Sequence, residues 1–343
     1  MKNNEKFAYH VSYYLGRYLS EIAGFSENTI VSYCTTLELF FQFMGSQKGL
    51  AVESLTMEDL TSSNVLGFLS WLEKEHCNKA STRNCRLAAI HAFCRYLLNT
   101  EPKMMFNLEQ ILAVPLKKTH HSSPEYLPLE AMRQILALPD LNTKAGRRDS
   151  VLLATLYNSG CRVQELCNLQ AGDLRLTSPA ILRITGKGNK SRNVPIMETL
   201  AKTLRLYLHE NHLDLPEKNK LPLFQNRSGE KFTRKGISYI LDKYASEARQ
   251  ADPSLFPSRI SPHSFRHSVS MHMLQAGVNI YHIRDFLGHV DVKTTEIYCR
   301  LDEEEKRKAL GKVPNVISKG LENALWHTNK PLLNRLMDLG LDH

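Results

Sequence analysis

The sequence predicts a mainly α protein with a small antiparallel β-sheet, arranged as two domains joined by a linker. Three observations predict it. Across the first hundred residues, apolar side chains recur at three- and four-residue spacing, the period of one helix face. The stretch AVPLKKTHHSSPEYLP, with three prolines, then interrupts that period. Beyond it, two β-like pieces, ILRIT and RNVPI, flank the Gly-rich turn GKGNKS, and the remainder reads again as helix with no alternating βα pattern. A length of 343 residues fits two domains at ~100–200 residues each.

The first helix runs from a Ser26 N-cap through Ile30, Tyr33, Leu37, Phe40 and Phe41, with Gly45 as its stop. A second spans 61–74 through Val65, Phe68, Leu69 and Leu72. A third begins at Ser81 and carries Leu87, Ile90, Cys94 and Leu97 on one face, with Arg83 and Arg86 on another. Those arginines read as solvated surface charge or as contacts to DNA phosphates. The expected boundaries are a helical domain over 1–106, a linker over 107–123, a second domain over 124–310 and a helical tail over 311–343. The second domain is expected to hold helices near 129–138, 148–159, 197–208, 233–249, 262–275, 280–287 and 293–301. In the tail, Pro331 suits a first helical position, and Leu332, Leu333, Leu336, Met337 and Leu339 form an apolar stripe. That stripe packs on its own domain or docks on a neighbouring copy.

Composition narrows the function. No run approaches the ~18 apolar residues of a membrane helix, and the N-terminus lacks the apolar stretch of a signal peptide. A cytoplasmic protein without a membrane partner is expected. Seven cysteines with no CxxC pair point to reduced thiols, not a disulfide or zinc framework. The His120–His121 pair has no third ligand nearby, so no metal is expected there. Residues 1–117 carry 11 basic and 11 acidic side chains, and 301–343 carry seven of each. The whole excess of +9 therefore lies in 118–300, with 26 basic against 17 acidic residues. A positive segment of that kind favours a polyanionic partner such as nucleic acid.

Four stretches in the basic segment hold residues that can share a site. In YNSGCRVQELCNLQAGDL, Arg162 follows a Gly-Cys turn and opens a helix, with Glu165 one turn on. A planar guanidinium there can present its fork to a phosphate. In ITGKGNKSRNVPI, the position where a nucleotide-binding loop needs its first glycine is Ile181, which argues against ATP. A basic hairpin tip carrying Lys187, Lys190 and Arg192 suits a nucleic-acid backbone better. In RISPHSFRHSVSMHML, Ser261 is an N-cap and Pro262 a first helical residue. His263 and Arg266 lie three apart on one face, while Phe265, Val269 and Met273 form the buried face. His267 and His272 are further histidines in a stretch without the carboxylate spacing of a zinc site. In LGHVDVKTTEIYCR, Gly288 caps a helix, His289 lies in the turn, and Tyr298 follows nine residues later.

Together these types suit phosphoryl transfer. Two arginines, two histidines and a lysine can neutralise charge building on a phosphodiester. A tyrosine can attack the phosphorus and form an ester. Guanidinium neighbours are expected to stabilise its phenolate and lower its proton affinity. Lysine can protonate the departing sugar oxygen, with no metal or other cofactor needed.

In SGCRVQEL, TGKGNKSRNVP, SPHSFRH and LGH with its nine-residue step to Tyr298, the sequence resembles the tyrosine recombinases, the phage-integrase-type site-specific recombinases. The resemblance covers roughly residues 8–300 and is nearest to Xer-like or small mobile-element recombinases and transposases. It implies a helical core-binding domain and a mixed α/β catalytic domain forming a clamp on double-stranded DNA. It assigns Arg162 and Arg266 to the scissile phosphate, Lys187 to general acid catalysis, and His263 and His289 to proton transfer and phosphate binding. Tyr298 is the implied nucleophile, forming an O-(3′-phospho-DNA)-tyrosine intermediate that a 5′-hydroxyl reverses. Arg83, Arg86, Lys190 and Arg192 are the expected further DNA contacts. The family works as tetramers on two recombination sites, in integration, excision, resolution or transposition, in some cases beside a partner recombinase. Two other readings use the same basic surface: a DNA-binding architectural or regulatory protein that does not cleave, and relaxation of DNA in the manner of type IB topoisomerases.

Overall fold

The computed structural model of the chain describes residues 3–119, 125–289, 291, 292, 294–296 and 298. His120, His121, most of the helix expected over 293–301, and the tail from 311 lie outside the described residues. The chain divides into two compact units, Met1–Ser122 and Ser123–His343.

The first unit is helical throughout its described residues. It begins with α1 (Asn3–Tyr13), which continues as a π-helix over Tyr14–Ile22. Phe7, His10, Tyr14 and Leu19 are buried along this segment. Their spacing of three, four and then five residues shows why no helix is expected there from a 3.6-residue period: the wider π-turn displaces the apolar face. Next come α2 (Glu27–Lys48), α3 (Ser62–Lys74), α4 (Ala80–Thr100) and α5 (Met105–Leu112). Ser26 precedes α2 as expected, but Gly45 lies inside the helix, and Gly49 closes it in the left-handed region at φ 66°. Phe43 and Met44 are buried just before Gly45, so packing carries the helix through a residue that costs only about 1 kcal/mol there.

The stripes on α2, α3 and α4 meet in one core through Leu37, Phe40, Phe68, Leu72, Leu87 and Leu97. Each such side chain contributes about 1.5–3 kcal/mol by leaving water. A Cβ on Gly67 would stand 3.0 Å from the Phe43 ring, so glycine lets α3 approach α2 closely. Residues 107–112, expected in the linker, belong to α5 instead. Leu108, Ile111 and Val114 are buried in the same core, at a spacing too short to read as a helix by itself.

In the second unit, α6 (Leu129–Ala137) and α7 (Lys144–Ser159) are followed by α8 (Val163–Asn168) and strands β1 (Leu174–Arg175), β2 (Ile181–Thr185) and β3 (Ser191–Pro195). Then come α9 (Glu198–Glu210), α10 (Arg234–Ala251), α11 (Pro262–Gln275) and α12 (Ile280–Leu287). The strands form an antiparallel sheet in the order β1-β2-β3. The two-residue β1 is too short to register as an alternating pattern. In the β2–β3 pair, Leu182 stands opposite Val194 and Ile184 opposite Arg192. Directly opposed residues share a face, so the inward Leu182 and Ile184 bring Val194 and Arg192 inward too. Leu152, Leu156, Leu182, Leu204, Leu241 and Phe265 join α7, the sheet, α9, α10 and α11 in one core.

Candidate active site

Arg162, His263 and His289 sit at helix ends, and Arg266 lies one turn into its helix. Arg162 is the N-cap of α8, and its amide donates to Glu165 Oε2 at 2.9 Å while Nη1 donates to Oε1 at 2.9 Å. Its side chain stays 42% exposed. Glu165 is buried and takes a second guanidinium from β3, with Arg192 Nη2 at 2.9 Å from Oε2. Burial pushes the Glu165 carboxyl up, but the hydrogen bonds from Arg192 and the Arg162 amide outweigh it and hold the group below the usual carboxylate range. The result is a fixed carboxylate flanked by two cations.

Arg192 also donates from Nε to the Phe286 carbonyl at 3.0 Å, so it ties β3 to the end of α12. The guanidinium, expected among the DNA contacts of the hairpin tip, faces inward and leaves 14% of its side chain exposed. The alternation of Arg192, Val194 and Ile196 along β3 carries that signal in the sequence, since residues two apart share a face. Lys190, just outside the strand, is exposed. At the tip, Gly188 has φ 73° and Asn189 φ 58°, left-handed positions that turn the chain between β2 and β3. The side chain of Lys187 lies outside the described residues.

On α11, the Ser261 hydroxyl accepts from the Ser264 amide and Pro262 occupies the first turn, as the sequence predicts. That start aims His263 and Arg266. His263 is exposed; loss of hydration within the site, then the charges of Arg266 and Arg162, lower its basicity. Arg266 is only 3% exposed. Its Nη1 donates to the Gly160 carbonyl and its Nη2 to the Leu287 carbonyl at 2.6 Å. Burial and then Arg162 bring its pKa down to about 10, so it remains a cation at neutral pH. Two carbonyls at the ends of α7 and α12 thus fix this guanidinium, and N–H groups remain out of its five.

Gly288 closes α12 at φ 65°, and its amide bonds the Asp285 carbonyl at 3.1 Å. A Cβ there would also stand 2.9 Å from Arg192 Cδ. The cap turns the chain so that His289 Nδ1 meets the buried Thr295 hydroxyl at 2.9 Å. His289 is half-buried, and desolvation followed by Arg266, Arg162 and Arg192 brings its pKa down to about 4. Tyr298 is 2% exposed and packs with Met271, Ile283 and Leu287. Its hydroxyl lies 2.8 Å from His267 Nδ1.

One expectation is reversed here. Burial raises the Tyr298 phenol pKa above its ordinary value, and the opposing effects of Ser270 and Arg266 are smaller. Desolvation of a phenolate outweighs nearby positive charge. Sequence reasoning also left His267 as a spare histidine, although it directly follows Arg266 and lies one turn beyond His263.

The expected contacts in the first unit are placed differently. Arg83 is buried at 6% exposure, and Arg86 donates from Nη1 to the Ser32 carbonyl and the Thr36 hydroxyl on α2, both at 3.1 Å. Arg86 thus ties α4 to α2, and Arg83 Nη1 donates to Asn84 Oδ1 beside it at 3.2 Å. Among the described residues, no group of three or more His, Cys, Asp or Glu is placed to hold a metal ion. No helix among them is long and apolar enough to cross a membrane.

The phage integrase family matches residues 125–305, and the N-terminal SAM-like domain of phage integrases matches residues 14–101. The tyrosine recombinase XerD of Listeria innocua is 32% identical over 280 residues, covering 81% of this chain and 89% of that protein. The chain belongs to the tyrosine recombinase family. The tyrosine recombinase XerC of Anoxybacillus flavithermus is 28% identical over 295 residues, 84% of this chain and 92% of that protein. Among solved structures, XerH recombinase bound to a palindromic difH substrate, a post-cleavage complex, aligns with a TM-score of 0.65 at 20% identity. It covers 82% of this chain and 79% of that one. The Tn1549 transposon integrase in complex with transposon right end DNA aligns at a TM-score of 0.67 and 13% identity, over 86% of this chain and 96% of that one. At such identities these two structures speak for the fold alone. The family's helical and catalytic domains correspond to the two matched segments.

Proposed function

We propose that Tyr298 is the nucleophile with which this site-specific DNA recombinase breaks and rejoins DNA strands. Its Oη attacks the scissile phosphorus, a bond to the tyrosine forms, and the bond to the 5′ oxygen breaks. That leaves a 3′-phosphotyrosyl linkage and a 5′-hydroxyl, which takes up a proton. Lys187 is the residue assigned to supply the proton. Arg162 and Arg266 hold the non-bridging oxygens, where charge accumulates in the transition state. His263 and His289 complete the phosphate site and take up the proton that the phenol loses on attack. Attack by a 5′-hydroxyl on the phosphotyrosine reverses the reaction, so the energy of the original bond is retained.

The observation that carries this reading is the field around Arg266. Arg162, Tyr298 and the Glu165–Arg192 pair all act on its guanidinium, and it in turn acts on His263 and His289. These groups come from α8, β3, α11 and the segment after α12, yet they meet at one cation. The part-exposed Arg162 and the exposed His263 offer the accessible side of that cluster to a phosphate backbone. Exchange between two duplex sites by a tetramer, alone or with a partner recombinase, follows as the assembly this chemistry serves. Integration, excision, resolution and transposition share it.

A nicked DNA substrate that loses its 5′-hydroxyl fragment after cleavage tests the reading. Wild type is expected to accumulate a covalent protein–DNA adduct that survives denaturation, and Tyr298→Phe to form none while still binding DNA. An adduct with Tyr298→Phe sinks the assignment. Wild type binding DNA without any adduct would favour an architectural role.

A further inference from the structure

We propose that His267 is a positioning residue for the nucleophile: it holds the Tyr298 phenol, protonated, in a buried store until DNA engages the site. The inference rests on Tyr298 being the nucleophile. The geometry begins with an enclosed phenol. Tyr298 is packed against Met271, Ile283 and Leu287, and a hydroxyl in such surroundings needs a hydrogen-bond partner. His267 Nδ1 stands 2.8 Å from Oη, with the rings 5.7 Å apart and tilted by 56°. The neighbouring Ser270 hydroxyl donates to the Arg266 carbonyl at 2.7 Å, so its proton is already engaged.

The chemistry of the imidazole sets the direction of the bond. Loss of hydration, then His263 and Arg266, bring the His267 pKa down to about 4. At neutral pH the ring is therefore uncharged, and one of its nitrogens is an acceptor. With the ring proton on Nε2, Nδ1 accepts from the phenol O–H. This arrangement favours the neutral phenol, in line with the raised Tyr298 pKa, and resists its ionisation away from substrate. The groups facing this pair are His263, 6.4 Å ring to ring from His267, with Arg266 on the same helix and His289 in the turn after α12. All of them respond to an arriving phosphate. An anion among them raises imidazole basicity, and a protonated His267 no longer accepts from the phenol. Binding of the scissile phosphate thereby weakens the contact that stores the nucleophile.

The test reads Tyr298 without DNA and is thus separate from the adduct test of its catalytic role. N-acetylimidazole acetylates accessible phenols, and peptide mass spectrometry follows each tyrosine. His267→Leu fills the space without an acceptor, whereas His267→Asn places an amide oxygen where Nδ1 stands. In the full-length protein, Tyr298 acetylation is expected to rise on the order of five- to tenfold in His267→Leu, the scale of one buried hydrogen bond. It is expected to return near the wild-type rate in His267→Asn. Tyr244, equally buried in the same unit and bonded to Asp149, reports general loosening and is expected to stay unchanged. An unchanged Tyr298 rate in His267→Leu, an equal rise in His267→Asn, or a parallel rise at Tyr244 would each overturn the proposal.

Discussion

The two sides of the active site are built on opposite electrostatic terms. On one side, Arg162, Arg192 and Arg266 each donate to a carboxylate or a carbonyl, and Glu165 accepts from the first two. On the other, His267, His289 and Tyr298 are held neutral by burial. The contrast teaches how the site divides its labour. The charged side needs no rearrangement to receive a phosphate, because its dipoles and cations are already oriented. On the neutral side burial keeps the phenol protonated, as the proposed storage of the nucleophile requires.

Four changes would break or sharpen this contrast. The largest is expected at Glu165. Glu165→Ala leaves two guanidinium groups without their shared counter-ion, and removing one partner from a buried pair costs about 3–5 kcal/mol. Chemical denaturation of the variant should show that loss; a change under about 1 kcal/mol would mean the cluster is solvated and not fixed. Next is Arg162→Ala. Cleavage of a suicide substrate should fall by about 10²–10³, the scale for losing one oriented donor to a transition-state oxyanion. Affinity for intact DNA should fall much less, because backbone binding is shared among many cations. Equal losses of binding and cleavage would contradict a clamp acting in the transition state.

A smaller effect is expected at Gly288→Ala, which joins the two sides. The left-handed φ and the 2.9 Å approach to Arg192 Cδ together predict a loss of about 1–3 kcal/mol. Cleavage should suffer as well, since His289 is aimed from this cap. The remaining change is a pH effect on the neutral side. His267 and His289 titrate near 4 in the folded protein against about 6.5 in the unfolded chain. Between those values the unfolded state binds more protons, so stability falls as pH is lowered from about 6.5 towards 4 and the effect levels off below that. A flat melting temperature across this window would place the histidines in water.

Much of this was legible in the residues. The Ser261–Pro262 start of α11 and the Gly288 stop of α12 follow from local capping chemistry, and the sequence bounds of both helices agree with the structure. Local signals failed where packing decides. Gly45 looks like a stop, but the buried Phe43 and Met44 keep the helix going to Gly49. Arg86 looks like surface charge because a sequence does not say which face another helix will cover. Arg192 is the instructive case: its place in a basic hairpin suggests a DNA contact, and its two-residue step from Val194 turns it inward onto Glu165. The burial of Tyr298, which reverses its expected acidity, depends on three side chains from α11 and α12 that no motif around the tyrosine contains.

The register of β2 against β3 has a consequence for how the chain folds. Ile184 opposite Arg192 is the alignment that delivers a counter-ion to Glu165. A slip by one residue would turn Arg192 outward and present Asn193 or Ser191 to the carboxylate. The acid would then be enclosed with half its compensation missing, a penalty that a misaligned hairpin cannot recover elsewhere. The Glu165–Arg192 pairing thus selects for strand alignment: only the correctly paired hairpin brings its arginine to the glutamate of α8.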